Sequence, residues 1–504
     1  MNAYEVPERK SHICGTTIAH SYGLTRKWLT KRNSEGETIV KILLVGNDPH
    51  EIGGVANYTR PLARKFVEQG NDVFYFFSGA WNRDYNWRLK PYLKINRVDF
   101  PFECAGLVNS PCWPTNFGNP DIDISESRTD KLFSAYLDHT KPDVIHMHSR
   151  VGLPASIMKC AAMRGIPIIN TIHVYGFLCQ KRVMIDHHGN SCEGPSNLMK
   201  CALCTGKINI RKGKFNARLA NTSKTLLNFI VHAKRLLKGA PANQPLGNAH
   251  TPACISADPA LVEGIARRLH YMTHLMNLVI DRTICVSEDV KKTLMRFGVD
   301  EKRLLVQHIG SLIAETQRPR KNQLHDPIVI GNIGGVSHYK GIHVLIGAVE
   351  RMKSLNFRVN IFGKYDDEFK TAMMKGREHL PIEFMGRYIP EQLSEILEQI
   401  DVMVLPSICN DTAPQTIFES YSRFVPIVAS DIGGFPDFIK DGINGHLFKP
   451  GDAAHLANIL DDIVTDPIRL SIFSKQIPKM KTIQQNADEL LFLYKTLRSS
   501  RCFM

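Results

Sequence analysis

Long apolar runs are missing from this chain of 504 residues. A membrane-spanning helix needs roughly 20 consecutive apolar residues, and no stretch of the sequence approaches that length. The first residues also lack the basic-then-apolar pattern of a secretory signal. We therefore expect a cytoplasmic protein.

Two phosphate-binding motifs are absent as well. The chain has no Gly-x-Gly-x-x-Gly followed by an acidic residue, and no Gly-Lys-Ser or Gly-Lys-Thr loop. These motifs hold dinucleotides and nucleotide phosphates, so their absence argues against nicotinamide-dependent redox chemistry and phosphate-loop hydrolysis. No Asp-x-Asp motif stands at a predicted strand end. We therefore expect no cofactor in the catalytic step.

Acidic residues are missing from residues 194 to 257, although the whole chain is 22% charged. Ten Lys and Arg residues in this segment supply most of the net charge of +14. Aliphatic residues lie close to those bases, which suits contact with an anionic membrane surface; a solvated helical face is the alternative. The alternating aromatic and basic residues of single-strand nucleic-acid platforms are lacking, so no nucleic-acid partner is expected.

Strand and helix patterns alternate along the first half. An aliphatic run over 40–45 is followed by Gly53-Gly54 and then by helical spacing over 55–69. Further strands are predicted at 72–77, 143–147 and 166–172, with a helix at 155–163. Alternation of this kind predicts a parallel, doubly wound sheet.

The same order restarts at residue 328. A predicted strand over 328–333 precedes Gly334-Gly335 and a helix over 342–352. Further predicted elements are strands at 358–362, 382–385, 402–405 and 427–429 and a helix at 390–399. The sequence thus predicts an α/β protein with two Rossmann-like doubly wound parallel-sheet domains facing across a cleft. Ligands of such sheets bind beyond the carboxyl ends of the strands, so the glycine turns of both halves are expected to face the cleft.

The predicted domain boundaries follow from this order. Residues 1–40 form an extension, 41–315 the first domain, 316–480 the second domain and 481–504 a helix that packs back on the first domain. A Cys-rich and basic insert occupies about 179–257 of the first domain.

Cysteines are frequent for a chain expected to remain in the cytosol, with 12 residues. That setting favours free thiols or a metal site over disulfides. Four of them, Cys179, Cys192, Cys201 and Cys204, end in Cys-x-x-Cys and suit a tetrahedral structural zinc ion. Free thiols and redox or iron–sulfur chemistry are the alternatives.

The strongest chemical signal follows the fourth predicted strand of the second half. Pro414 suits the first turn of a helix, whose free amides at Gln415 and Thr416 would point into the cleft and hold a phosphate. Asp411 precedes this helix and Glu419 lies inside it. Two carboxylates therefore flank a predicted anion site.

In these residues the chain resembles the retaining nucleotide-sugar glycosyltransferases of family 4, which have the GT-B fold. Their signature is a pair of Glu residues separated by seven positions, between a Pro-Ser pair and a Gly-Gly pair. Here Asp411 stands in place of the first Glu, Glu419 matches the second, and Phe424 stands where Gly is usual. Other matching motifs, in the family's order, are Gly53-Gly54-Val55, Pro-Asp-Val-Ile-His-Met-His at 142–148, Thr171-Ile-His173, Val286-Ser287, Val-Ser-His-Tyr-Lys-Gly at 336–341 and Asp-Gly-Ile-Asn-Gly at 441–445.

The resemblance implies roles for four side chains. His173 would contact the transferred sugar near the reacting carbon, and Lys340 would neutralise the diphosphate of the departing nucleotide. Asp411 would bind sugar hydroxyls, and Glu419 would bind the ribose. The leaving phosphate itself would take the proton of the acceptor, the molecule that receives the sugar. His146, like His148, is expected to support the site rather than to react.

The resemblance also places donor contacts on backbone turns. Gly53-Gly54 would let the chain approach the ligand closely. The nucleotide base would lie near Gly363 and Arg387. Where the family usually has an Arg, five residues before Lys340, this chain has Gly335.

These features predict a glycosyltransferase that moves a sugar from a nucleotide-sugar donor to a glycan or lipid-linked acceptor of a cell-surface or exopolysaccharide pathway. Its basic insert would place it on the inner face of the membrane. A soluble glycosyltransferase or phosphorylase acting on a small acceptor is one alternative. A non-catalytic nucleotide-sugar-binding protein is the other.

Overall fold

The computed structural model describes residues 39–79, 90–112, 118–206, 257–319 and 323–501. Most of the predicted extension, 1–38, and the larger part of the basic insert, 207–256, lie outside the described residues. The described residues form two separate β-sheets with helices packed around them.

The first sheet contains eight strands. They are β1 (Lys41–Gly46), β2 (Asp72–Ser78), β3 (Tyr92–Asn96), β4 (Glu103–Val108), β5 (Val144–Met147), β6 (Ile168–Ile172), β7 (Arg282–Cys285) and β8 (Leu304–Val306). Their spatial order is β3-β4-β2-β1-β5-β6-β7-β8. Strands β1, β5 and β6 are almost entirely buried, as expected for central parallel strands covered on both faces.

One strand departs from the predicted parallel sheet. Strand β3 pairs antiparallel with β4 at the edge, whereas the other pairings of this sheet are parallel. Only residues 97–102 connect these two strands. A connection this short reverses the chain, because a parallel partner requires a crossover of a dozen or more residues.

Seven helices accompany the first sheet in the described residues: α1 (Gly54–Glu68), α2 (Pro120–Ile124), α3 (Ser127–Thr140), α4 (Ile157–Ala162), α5 (Leu198–Gly206), α6 (Pro259–Leu278) and α7 (Glu288–Arg296). Helix α1 begins directly after the Gly53 turn and buries Tyr58, Leu62 and Phe66. These residues recur at intervals of four, which places them on one face of the helix.

The second sheet contains six strands: β9 (Ile328–Ile333), β10 (Phe357–Phe362), β11 (Ile382–Gly386), β12 (Val402–Leu405), β13 (Ile427–Ser430) and β14 (Gly445–Phe448). All pairings are parallel, in the order β11-β10-β9-β12-β13-β14. The strand order reverses between β9 and β12. A reversal of this kind opens a crevice at the carboxyl ends of the two strands, where α/β sheets bind ligands.

The helices of the second domain are α8 (Ile342–Val349), α9 (Asp367–Met374), α10 (Leu393–Glu398), α11 (Gln415–Tyr421), α12 (Phe435–Phe438), α13 (Ala453–Thr465) and α14 (Ile468–Gln476). Two predicted helices are shorter than expected. The helix predicted over 342–352 ends at Val349. The one predicted over 390–399 begins with a 3-10 turn, Pro390–Gln392, before α10.

The last helix, α15 (Ile483–Arg501), lies against α1 although it follows the second domain in sequence. Its Asn486 accepts hydrogen bonds from the Tyr58 hydroxyl at 2.7 Å and from the Gly310 amide at 2.9 Å. Its Tyr494 hydroxyl lies 2.5 Å from His146 Nδ1. The final helix therefore reaches the strand ends beneath the cleft. Within the described residues, no helix is both long and apolar enough to cross a bilayer.

Candidate active site

The Gly53-Gly54 turn of the first domain meets the start of α11 in the second domain. A Cβ placed on Gly54 would lie 3.8 Å from Cγ of Gln415, the first residue of α11. The Thr412 hydroxyl donates a hydrogen bond of 2.6 Å to the backbone carbonyl of His173. The strand ends of both sheets thus bound one site.

A cavity of about 90 Å³ lies on the second-domain side of this site. It is lined by Gly334 and Gly335 after β9, by Lys340, by Asp411 and by Thr416 of α11. The cavity thus brings together four predicted site residues, Gly335, Lys340, Asp411 and Thr416, and the adjacent Gly334. It lies at the point where the strand order reverses.

Lys340 and Asp411 form an ion pair in this cavity. The ammonium donates to both carboxylate oxygens, at 2.9 and 2.7 Å. The Ser407 hydroxyl donates to the same carboxylate at 3.0 Å. Burial lowers the pKa of Lys340, but the attraction and hydrogen bonds of Asp411 outweigh it, so the pKa is raised overall. The lysine is therefore a permanent cation whose charge is balanced by Asp411 when no other anion is near.

Space exists at the position where the family usually has an arginine. Gly335 is exposed, and a Cβ built on it would meet no atom within 4 Å. Gly363 differs, because a Cβ there would lie 1.6 Å from the Gly334 carbonyl oxygen and its φ is +149°. Only glycine fits at Gly363, whereas the residue type at Gly335 is free to vary.

His173 follows β6, is half-buried, and lies beside the two buried imidazoles of His146 and His148. A hydrogen bond of 3.1 Å joins His148 Nδ1 and His173 Nε2. The rings of His146 and His148 lie 3.9 Å apart between centroids. Burial lowers the pKa of His173 to about 3 and holds the pKa of the other two well below the usual value. All three imidazoles are therefore neutral at pH 7.

Glu419 is a half-buried residue of α11. Its Oε2 is buried, with no hydrogen-bond partner among the described residues. Burial raises the pKa of this carboxyl group from 4.5 to about 7. An unpaired, buried acceptor suits a ligand that donates hydroxyl hydrogen bonds.

Most of the predicted donor contacts do not line the cavity beside Lys340; they are Gly53, Gly54, Gly363, Arg387, Pro414, Gln415 and Glu419. Arg387 is exposed after β11 and does not line the cavity beside Lys340. Pro414 lies one residue before α11, as its N-cap, rather than in the first turn. Proline occupies that position without loss, because the amide it lacks has no partner within a helix in any case.

The four cysteines of the insert surround one cavity of about 340 Å³. All are partly buried and carry free thiols. Burial raises the pKa of Cys201 to about 12. No group of three or more His, Cys, Asp or Glu side chains in the described part of the chain is arranged to hold a metal ion. The four candidate ligands thus line one cavity, but their side chains are not arranged as metal ligands. The zinc site stays a prediction.

Sequence reasoning missed three side chains that hold the site together. They are Thr412 and Ser407, described above, and Tyr58, whose ring lies 5.1 Å from that of His173 between centroids. Thr412 and Ser407 flank Asp411 in the sequence, so proximity to the motif was the available signal. No sequence signal pointed to Tyr58, because its partners Asn486 and His173 are more than 100 residues away in the chain.

Comparison with known families supports the assignment of both halves. Residues 52–188 match the family model described as glycosyltransferase family 4. Residues 314–480 match the model described as glycosyl transferases group 1. Together the two matches cover more than half of the chain.

Curated relatives share part of their length with this chain. The amylovoran biosynthesis glycosyltransferase AmsK of Erwinia amylovora is 24% identical over 33% of this chain and 43% of that protein. A D-inositol 3-phosphate glycosyltransferase of Corynebacterium efficiens is 26% identical over 50% of this chain and 66% of that protein. The lipopolysaccharide 1,6-galactosyltransferase of Escherichia coli is 24% identical over 38% of this chain and 54% of that protein. The match spans less than two thirds of each relative.

Solved structures share the fold over nearly the whole chain. HepE of Anabaena, solved with UDP and glucose, has a TM-score of 0.56 at 13% identity and covers 91% of this chain and 100% of its own. The sucrose-phosphate synthase of Thermosynechococcus elongatus has a TM-score of 0.59 at 15% identity and covers 91% of this chain and 99% of its own. With two family matches in the expected halves and this two-domain fold, the chain belongs to the group 1 glycosyltransferases of family 4.

Proposed function

We propose that this protein transfers a sugar from a nucleotide-sugar donor to a glycan or lipid-linked acceptor in cell-surface or exopolysaccharide biosynthesis. The observation that carries the proposal is the placement of Lys340, beside the Gly334-Gly335 turn and opposite His173 across one cleft. Relatives named for amylovoran and lipopolysaccharide synthesis support this class of pathway. A structural neighbour solved with UDP and glucose supports a nucleotide-sugar donor.

The donor diphosphate would replace Asp411 as the partner of Lys340. The ammonium would then stabilise the negative charge that grows on the phosphate as the sugar leaves. Asp411, released from the ion pair, would accept hydrogen bonds from sugar hydroxyls. The buried Glu419 carboxyl would do the same for the ribose.

The reaction would proceed with retention at the anomeric carbon, as in the family that the sequence resembles. The bond between that carbon and the phosphate oxygen breaks, and a bond to the acceptor oxygen forms on the same face. The acceptor proton passes to the leaving phosphate, so no separate protein base is required. The neutral imidazole of His173 would contact the sugar by hydrogen bonding without adding charge.

Thermal stabilisation by a panel of nucleoside diphosphates and nucleotide sugars tests the donor site. We expect one nucleotide to raise the melting temperature of the wild type, because a ligand that binds only the folded state stabilises it by mass action. The Lys340→Ala variant should lose this shift, whereas Lys353→Ala, on the same domain, should keep it. Absence of any shift in the wild type would contradict the donor site.

A non-catalytic nucleotide-sugar-binding protein is the second candidate. It is favoured by Gly335, which leaves one cation fewer than the family usually has, and by the neutralisation of Lys340 by Asp411. Slow donor hydrolysis distinguishes the two. An enzyme should release nucleoside diphosphate from its preferred nucleotide sugar in a Lys340-dependent manner, whereas a binding protein should leave the donor intact.

A further inference from the structure

A second cavity, of about 60 Å³, lies behind His173 in the first domain. Thr171 and Val174, on either side of His173 in the sequence, line it, and so does His148. Since one water needs roughly 10–15 Å³ of such volume, the space accommodates several waters or one small ionic group.

Three arginines line this cavity: Arg150, Arg182 and Arg268. Asp123 is the single acidic residue among the described residues that line it. Arg150 donates to both oxygens of Asp123, at 2.5 and 3.0 Å, and Arg268 Nε donates to it at 2.5 Å. One carboxylate therefore serves two guanidinium groups, with a third close by.

Burial makes this excess of positive charge costly. Arg268 is 2% exposed and Arg150 is 9% exposed. Arginine does not lose its proton at any ordinary pH, so the charge persists. Burial lowers the pKa of Arg182 and Arg268, and neighbouring guanidinium groups lower both further. Arg150 and Arg268 also donate to the backbone carbonyls of Gly176 and Phe177. These carbonyls carry no net charge, so the cavity keeps an excess of positive charge that a bound anion would offset.

Unpaired hydrogen-bond donors point to the same ligand. Arg150 Nε and Asn170 Nδ2 are buried, with no partner among the described residues, and both residues line the cavity. His148 Nε2 is buried and unpartnered in the same way. Arg182 holds a left-handed backbone, with φ of +69°, a conformation that costs free energy and is enriched at functional sites.

We propose that this cavity binds a small oxyanion, a phosphate or carboxylate group carried by the acceptor. Guanidinium groups match either group through paired hydrogen bonds. An oxyanion at His148 Nε2 keeps the proton on that nitrogen, so Nδ1 accepts from His173 Nε2 and fixes the orientation of His173. Occupancy by the acceptor thus prepares the residue that faces the sugar. That the anion belongs to the acceptor rests on the proposed function; anion binding itself does not.

Calorimetric titration with inorganic phosphate, and separately with acetate, tests the site at constant ionic strength. The Lys340→Ala variant is the background, because the donor pocket also attracts phosphate. We expect one phosphate site to persist in Lys340→Ala and to weaken at least tenfold when Arg182→Gln is added. Addition of Arg267→Gln instead should change nothing, because Arg267 is exposed one residue before Arg268 and pairs with Asp121 outside the cavity. A stronger response to acetate than to phosphate identifies a carboxylate as the preferred group.

A second variant keeps the proposal falsifiable if Arg182→Gln does not fold. Asn170→Asp places a carboxylate in the cavity that the three arginines line, so we expect it to abolish phosphate binding without lowering the melting temperature. Phosphate binding that survives either substitution in the cavity overturns the proposal. Loss of all phosphate binding in Lys340→Ala alone also overturns the proposal. That result would not contradict the proposed donor site, because it would assign all the phosphate binding to Lys340.

Discussion

At the scale of single residues, the proposed donor site depends on a cation that the protein itself neutralises. The carboxylate of Asp411 contacts Lys340 through both oxygens, so an incoming diphosphate competes with it. Where the family usually has a second cation, Gly335 leaves open space. In the proposed donor site, affinity would therefore depend on how much more strongly the ammonium group of Lys340 binds the diphosphate than it binds Asp411.

Restoring the family's arginine should strengthen diphosphate binding. Gly335→Arg adds charge-assisted hydrogen bonds to phosphate, each worth about 1.5–3 kcal/mol, and the open space admits the side chain. We expect the dissociation constant for inorganic pyrophosphate, measured by calorimetry, to fall about tenfold or more. Gly335→Ala, which adds no charge, is the control. Equal affinity in both variants would show that the turn does not face the phosphates.

Glu419 makes stability depend on pH. Its pKa is raised from 4.5 to about 7 by burial, so between these values the folded chain holds a proton that the unfolded chain releases. Stability should therefore fall as pH rises through this window, by about 3 kcal/mol at most. Glu419→Gln should remove this loss. The free energy of unfolding in urea, relative to that of the wild type, should therefore be higher for the variant at pH 8 than at pH 4.5. The exposed Glu391→Gln should follow the wild type at both pH values.

At the scale of elements, α15 ties the second domain to the first. Asn486 is 2% exposed and accepts from two buried donors, Tyr58 and Gly310. Asn486→Ala leaves both donors unpaired, which costs about 2–5 kcal/mol. We expect a clear drop in melting temperature by calorimetry. Phe492→Ala on the same helix, at a side chain 76% exposed, should melt close to the wild type, and similar melting of the two variants would argue against this role of α15.

The Cys-rich segment is a second element that extends to the cleft. A Cβ on Gly189 would lie 3.8 Å from His338 Nδ1 in the second domain, so the segment reaches the donor side. We propose that its four cysteines bind a structural zinc ion, whose coordination would draw the thiols together and deprotonate them. Elemental analysis of purified protein should find about one zinc per chain, reduced in Cys204→Ser and retained in Cys160→Ala. Zinc-free, fully folded protein would exclude this site.

At the scale of the whole molecule, charge is distributed unevenly. Ten basic and no acidic residues occupy positions 194 to 257 of a chain with net charge +14. We expect the protein to sediment with vesicles containing phosphatidylglycerol and not with phosphatidylcholine alone, and to be released by salt, which screens such attraction. Replacing Lys234, Arg235 and Lys238 by Gln should weaken binding more than the same change at Lys131, Lys353 and Lys375. Equal weakening would indicate attraction by overall charge only.

The two-domain arrangement was accessible from sequence because its determinants are local. Aliphatic runs such as Ile328–Ile333 form strands wherever the chain buries them. The glycine turns after β1 and β9 mark the strand ends that face the cleft. Five of the described strands were not predicted: β3, β4, β7, β8 and β14. The edge strand β3 is an example, because its half-buried residues lack the continuous apolar run of a central strand.

The sequence by itself determined the fold class and the family. It also singled out Lys340, Asp411, Glu419 and His173, whose roles stay predictions, since each belongs to a short motif that follows a strand. Only the tertiary structure decided which of them interact. The Lys340–Asp411 pair joins residues 71 positions apart, and the cavity between Asp123 and Arg268 joins residues 145 positions apart. Such contacts arise from the packing of whole elements, and no local pattern of side chains encodes them.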